Sequence, residues 1–289
     1  MFEGFTTQRI ATEGAELLVR RAGEGPPLLL LHGAPQTGAM WDRVARRLAG
    51  DFQLVVPDLR GYGASSKPPA DPGDAWSSFR AMAADQVQLM RALGHERFAL
   101  AGHDRGGRTA HRLALDHPDV LTKVAILDIV PTLHVFEHVD QQIATSYFHW
   151  FFLIQPEPMP ERVIAGAPLD WIRHSLGGLG TGREAFAPEA LAEYERCIQD
   201  PGAIHGLCED YRAAATIDLE HDRADRGRPV TCPMLVLWGA NGVVGRAYDP
   251  LAVWREHATD VRGRALDAGH YLAEERPDET AAELAAFFG

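Results

Sequence analysis

Apolar residues gather first in short, nearly continuous runs: LLLL at 28–31, FQLVV at 52–56, FALA at 98–101, KVAILD at 123–128 and MLVLW at 234–238. Each is bounded by Gly, Pro, His or Asp, the pattern of strands covered on both faces of a parallel sheet. Helical periodicity fills the intervals. Residues 79–93 set Met82, Ala83, Val87, Met90 and Leu93 on one face, residues 105–116 form a helix that stops ahead of Pro118, and 278–288 form an amphipathic terminal helix. The alternation predicts an α/β class: a doubly wound, mostly parallel sheet with right-handed crossovers and ligand sites beyond the carboxyl ends of its strands.

From residue 131 the strand rhythm gives way to aromatic and helical sequence such as SYFHWFFLIQPEP, EALAEYERCI and GLCEDYRAAATI. It resumes near Pro233. The chain is therefore expected to have a core in two parts, 1–130 and 225–289, with a helical cap over 131–224.

Composition narrows the classes of function. Forty acidic against 28 basic residues give a formal charge of −12, which speaks against nucleic acid or an anionic membrane as partner, since both require clustered positive charge. Cys197, Cys208 and Cys232 form neither a CxxC pair nor a metal spacing and read as reduced structural thiols, with no metal implied. The first ten residues, MFEGFTTQRI, lack the basic and apolar segments of an export signal, and no run approaches the roughly 18 apolar residues of a span. A cytoplasmic enzyme is the expectation.

The chemistry is concentrated after FALA. Gly102, His103, Asp104, Arg105 and Gly106 fit the glycine–x–nucleophile–x–glycine elbow of the α/β-hydrolase fold, with aspartate where serine commonly stands. An isolated pattern of this kind also suits a turn with a capping aspartate. Chain order in that fold runs nucleophile, acid, histidine, and Asp128 at the end of KVAILD and His270 in DAGHY supply the remaining two. The other usual acid position, after MLVLW, reads WGANG without a carboxylate, which favours Asp128; Asp249 stays open as an alternative, and either aspartate also suits a turn or helix cap.

A carboxylate nucleophile displaces a leaving group from saturated carbon or opens an epoxide, leaving an alkyl–enzyme ester. His270, oriented by Asp128, would then activate water against that ester, with the backbone N–H groups of Ala34 and Arg105 as oxyanion donors. Arg105 and Arg108 lie one turn apart at a helix start, where cations oppose the macrodipole, so an anionic small-molecule substrate is inferred. Arg112 reads as a surface or salt-bridging residue, and a salt-bridging role suits Arg108 as well.

Taken together, HGAPQTGAMW, DLRGYGASSKP, GHDRGGRTAHRLALDHP, YFHWFFLIQP and CEDYRAAATIDLEHD resemble the fluoroacetate dehalogenases over nearly the whole chain. The core motifs, without the arginines and cap residues, are shared with soluble epoxide hydrolases and haloalkane dehalogenases. The resemblance implies an α/β-hydrolase with an inserted cap that hydrolyses a short 2-haloacid without a cofactor, acting as a homodimer. It also implies that His149, Trp150 and Tyr211 form a halide pocket, although aromatic residues of a cap commonly serve as packing. One departure is visible: the family usually has a bulky aromatic after the HG pair, where this chain has Ala34, which leaves room for chloroacetate or longer 2-haloacids. Epoxide hydrolysis, with Tyr147 and Tyr211 as acids, and a non-catalytic ligand receptor on the same fold are the competing readings.

Overall fold

The computed structural model describes residues 1–68 and 73–289. Eight strands form one sheet: β1 (Thr6–Ala11), β2 (Glu16–Ala22), β3 (Pro27–Leu31), β4 (Gln53–Pro57), β5 (Phe98–His103), β6 (Leu121–Leu127), β7 (Met234–Gly239) and β8 (Val261–Leu266), in the spatial order β1-β2-β4-β3-β5-β6-β7-β8. The six strands from β3 to β8 are mutually parallel, while β1 and β2 add an antiparallel margin. β3 has β4 on one side and β5 on the other, so the winding reverses there. Ligands of open α/β sheets bind beyond the strand ends at such a reversal.

The five apolar runs all appear as strands, and those of β3 and β5 are almost wholly buried. Helices Phe79–Ala92, Arg105–Asp116 and Pro277–Phe288 lie where the 3.6-residue periodicity places them. The two edge strands, β1 and β8, and β2 beside β1 carry no such run. β1 is exposed along nearly its whole length, β2 alternates, and β8 (VRGRAL) presents arginines to solvent, with Arg264 paired to Glu283. Edge strands face water on one side and hold fewer apolar residues, which removes the signal that marks the central ones.

Between β6 and β7 the chain forms eight α-helices, from Thr132–Glu137 to Ile217–Ala224, and no strand. They are joined to the sheet side by buried polar contacts. Phe79 N–H donates to Asp218, Arg20 meets Glu193 at 3.2 Å, and the Tyr194 hydroxyl donates to Glu274 at 2.6 Å. No described helix is long and apolar enough to cross a membrane.

Leu100, fully buried at the centre of β5, tests how far the site depends on the sheet beneath it. Leu100→Ala is expected to cost about 2–5 kcal/mol, measured as a lowered urea midpoint with unchanged slope.

Candidate active site

Asp104 closes β5 and caps the helix Arg105–Asp116 with φ +46° and ψ −113°. Such a conformation costs an L-residue on the order of 1–3 kcal/mol, and the packing around it must impose it. Gly102 and Gly106 make that possible. A Cβ on Gly102 would lie 2.3 Å from the Gly106 carbonyl oxygen, and one on Gly106 would lie 2.5 Å from that of Leu31.

The elbow carries Asp104 to the strand ends at the β3/β5 reversal. From the loop after β3, Ala34 N–H donates to Asp104 Oδ2 at 3.1 Å. The Arg105 N–H makes no hydrogen bond to that carboxylate among the described residues, so of the two expected oxyanion donors only Ala34 is in place before reaction. From the loop after β8, His270 Nδ1 meets Asp128 Oδ2 at 2.6 Å, and Asp128 Oδ1 accepts from Gly239 N–H at 2.8 Å. Asp128 is itself at φ +52° at the end of β6. The structure thus brings Asp104, His270 and Asp128 together. Asp249, by contrast, caps the helix Pro250–Arg255 through a bond from Ala252 N–H, and Asn241 of WGANG bonds Asp267.

Burial pushes the Asp104 carboxyl up, but His270, Arg108 and Arg105 outweigh it and hold the group below the usual carboxylate range. Burial depresses His270, yet the hydrogen bond and charge of Asp128, aided by Asp104, leave it raised. His103 sits under His270, ring centroids 4.6 Å apart. Burial lowers it to about 3, so it is neutral, and its Nε2–H donates to the His270 carbonyl at 2.8 Å.

The two arginines of the helix start differ in their partners. Arg105 is fully buried and forms a forked ion pair with Asp210 of the cap helix Pro201–Ala215; its Nε lies 2.9 Å from Oδ2, and the Tyr62 hydroxyl donates to the same carboxylate. Asp210 outweighs the effect of burial and raises Arg105. Arg108 instead donates through Nη1 to the Val130 carbonyl at 3.0 Å and to Thr132 Oγ1 at 3.1 Å. Arg105 Nη1 and Arg108 Nε remain buried without a hydrogen-bond partner among the described residues. Arg112 is salt-bridging as expected, to Asp116 and Asp225, but buried rather than on the surface.

A small cavity of about 10 Å³, room for about one water molecule, lies over these groups, lined by Asp104, Arg108 and His270 together with Tyr147, His149, Trp150 and Tyr211 of the helices between β6 and β7. Burial lowers His149 to about 3, leaving a neutral imidazole, and raises Tyr147 and Tyr211, leaving their hydroxyls protonated. The cap aromatics also pack on the cations: Arg108 lies 4.6 Å from the Trp150 ring centroid and Arg105 4.2 Å from that of Tyr211. A wider cavity of about 200 Å³ adjoins the first and shares Ala34, His149, Leu179 and Tyr211 with it.

The parallel sheet, the inserted helices and the carboxylate elbow define a class. The chain belongs to the α/β-hydrolase family, whose fold model matches residues 26–277. Over 99% of its length it is 49% identical to the fluoroacetate dehalogenase of Burkholderia sp, covering 95% of that protein. A soluble epoxide hydrolase of Corynebacterium sp. (strain C12) is more distant, 33% identical over 89% of this chain and 87% of its own. A solved protein of Nostoc sp PCC 7120 assigned as an alpha/beta hydrolase superposes with a TM-score of 0.98 at 52% identity, covering 100% of this chain and 99% of that one.

Sequence reasoning misses Asp210, although it directly precedes Tyr211; only the fold reveals that it faces Arg105. Removing it would strand a buried cation. Asp210→Ala is expected to destabilise the protein by about 3–5 kcal/mol, read from chemical denaturation.

Proposed function

We propose that the protein hydrolyses the carbon–halogen bond of a short 2-haloacid, such as fluoroacetate or chloroacetate, to the 2-hydroxyacid and halide. The observation that carries this reading is Arg108, which lines the cavity beside Asp104 and whose buried Nε has no hydrogen-bond partner among the described residues; the Nη1 of neighbouring Arg105 is likewise unpartnered there, although Arg105 does not itself line the cavity. Buried donors are rarely left unmade, because each costs about 1–3 kcal/mol. A substrate carboxylate supplies the missing acceptors, and guanidinium forks suit it.

With Oδ2 of Asp104 held by Ala34 N–H, Oδ1 is the oxygen free to attack C2. The new C–O bond forms as the C–X bond breaks, and the halide leaves with the electron pair, inverting a chiral C2. His149, Trp150 and Tyr211 are uncharged donors around the departing halide, and they replace the water that a strongly hydrated fluoride would otherwise need. A water molecule then attacks the carbonyl carbon of the aspartyl ester while His270 takes its proton, with Asp128 orienting the imidazole. Oδ2 becomes the oxyanion against the donor it already touches. Collapse releases the 2-hydroxyacid, and the balance is haloacid plus water to hydroxyacid, halide and a proton.

Tyr147 and Tyr211 both line the cavity, which keeps epoxide hydrolysis as the second reading: two phenols suit an oxirane oxygen, but they offer nothing to the arginines. The family resemblance further implies a cytoplasmic homodimer.

A panel measuring fluoride, chloride and bromide release from the haloacetates, beside diol formation from styrene oxide, tests the proposal. Halide release is expected, falling roughly 10–150-fold in kcat/KM in Arg108→Leu, as for loss of a charged hydrogen bond; turnover of the epoxide alone would sink it. His270→Asn should release about one halide per site and stop, with the alkyl adduct on Asp104 visible by intact-protein mass spectrometry.

The pH dependence carries a sign. Ester hydrolysis needs neutral His270, so kcat should fall on acidification where this step is limiting. Esterification removes the Asp104 charge that helps to raise His270, so the midpoint in kcat is expected below that of the free enzyme's His270 imidazole followed by NMR. Coincident midpoints would show that the Asp104 charge does not act on His270.

A further inference from the structure

His270 is held by its backbone as well as by its ring. Three consecutive N–H groups are engaged: Gly269 N–H donates to Glu275 Oε2 at 2.6 Å, His270 N–H to the Leu179 carbonyl at 3.0 Å, and Tyr271 N–H to Glu275 Oε1 at 3.0 Å. Glu275 is buried, and among the described residues no cationic side chain pairs with it. Its bond to Tyr271 alone would be a cap on the short helix Leu272–Glu275. The bond to Gly269 lies outside that helix, and the two together bracket His270.

The cap supplies the opposing contact. Leu179 ends the helix Pro168–Leu179 and lines both cavities. The next residue, Gly180, lies so close that a Cβ would be 2.9 Å from Tyr271 Cδ2 and 3.1 Å from Glu275 Oε1. Its φ of −96° is open to any residue, so this closeness alone calls for glycine.

We propose that Glu275 is a positioning residue that, with the Leu179 carbonyl of the seated cap, fixes His270 for hydrolysis of the aspartyl ester. This rests on the dehalogenase reading above. Because His270 transfers a proton only after the ester forms, and Arg108 and Arg105 also hold Asp104 ionised, loosening the clamp should slow the second half-reaction far more than the first. A carboxylate accepts at both oxygens, whereas the Gln amide offers one acceptor and turns a donor towards the other N–H.

The test is rapid-quench halide release by Glu275→Gln and Gly180→Ala beside the native enzyme. Both variants are expected to keep a burst of about one halide per folded site, to lose at least about tenfold in steady-state turnover, and to accumulate the ester in mass spectra. Turnover within about twofold of native in both, or burst rate and turnover falling together, would overturn the proposal. If the native protein releases no halide from any haloacid, the dehalogenase reading fails on its own, and hydrogen exchange still decides the clamp. The amides of 269–271 should exchange at least about tenfold faster in Glu275→Gln, and unchanged exchange would refute it.

Discussion

Asp104 is a buried carboxyl held below the usual carboxylate range, and the proposed reaction asks it to stay ionised with one oxygen free. A full ion pair would secure the charge but occupy the lone pairs, and simple burial would protonate the group. The structure meets both demands with charges that act on the carboxylate while bonding elsewhere: His270 to Asp128, Arg105 to Asp210, and Arg108 to Val130 and Thr132. Among the described residues, the single hydrogen bond on the carboxylate comes from Ala34 N–H. The backbone strain at the elbow has the same origin, since only a sharp turn lifts the side chain clear of the helix that follows.

The surrounding layers follow from that demand. A site kept free of bulk water requires a lid, and the helices between β6 and β7 supply both cover and the aromatic walls. Burial keeps His149 and Tyr211 of those walls uncharged, the state that the proposed role as donors to a leaving halide requires. The wider neighbouring cavity shares Ala34 with the smaller one as a lining residue, and a bulky side chain at that position would take up space in both.

Much of this was legible in the sequence, and the limits have physical causes. Central strands announce themselves through continuous apolar runs, whereas β1 and β8, half exposed, do not. Asp104, Asp128 and His270 are readable because chain order and strand ends are local signals, and the missing carboxylate in WGANG points to Asp128, the aspartate that His270 meets in the structure. The arginine spacing identifies two cations at a helix start but not their partners: Asp210 lies 105 residues further along the chain and meets Arg105 only once the cap has folded. Glu275 escapes for a related reason, because its role lies in two backbone N–H groups that no side-chain pattern encodes.

The ion pair between Arg105 and Asp210 also bears on how such enzymes diversify. Caps on this sheet look like interchangeable modules, joined to the core at only two points in the chain. Yet here Asp210 of the inserted helices neutralises Arg105, the residue after Asp104, so a foreign cap lacking an acid at that place would leave a bare buried charge beside Asp104. Recombination between lineages is therefore constrained to exchange the elbow arginine and its cap partner as a linked pair, even though the two are encoded far apart.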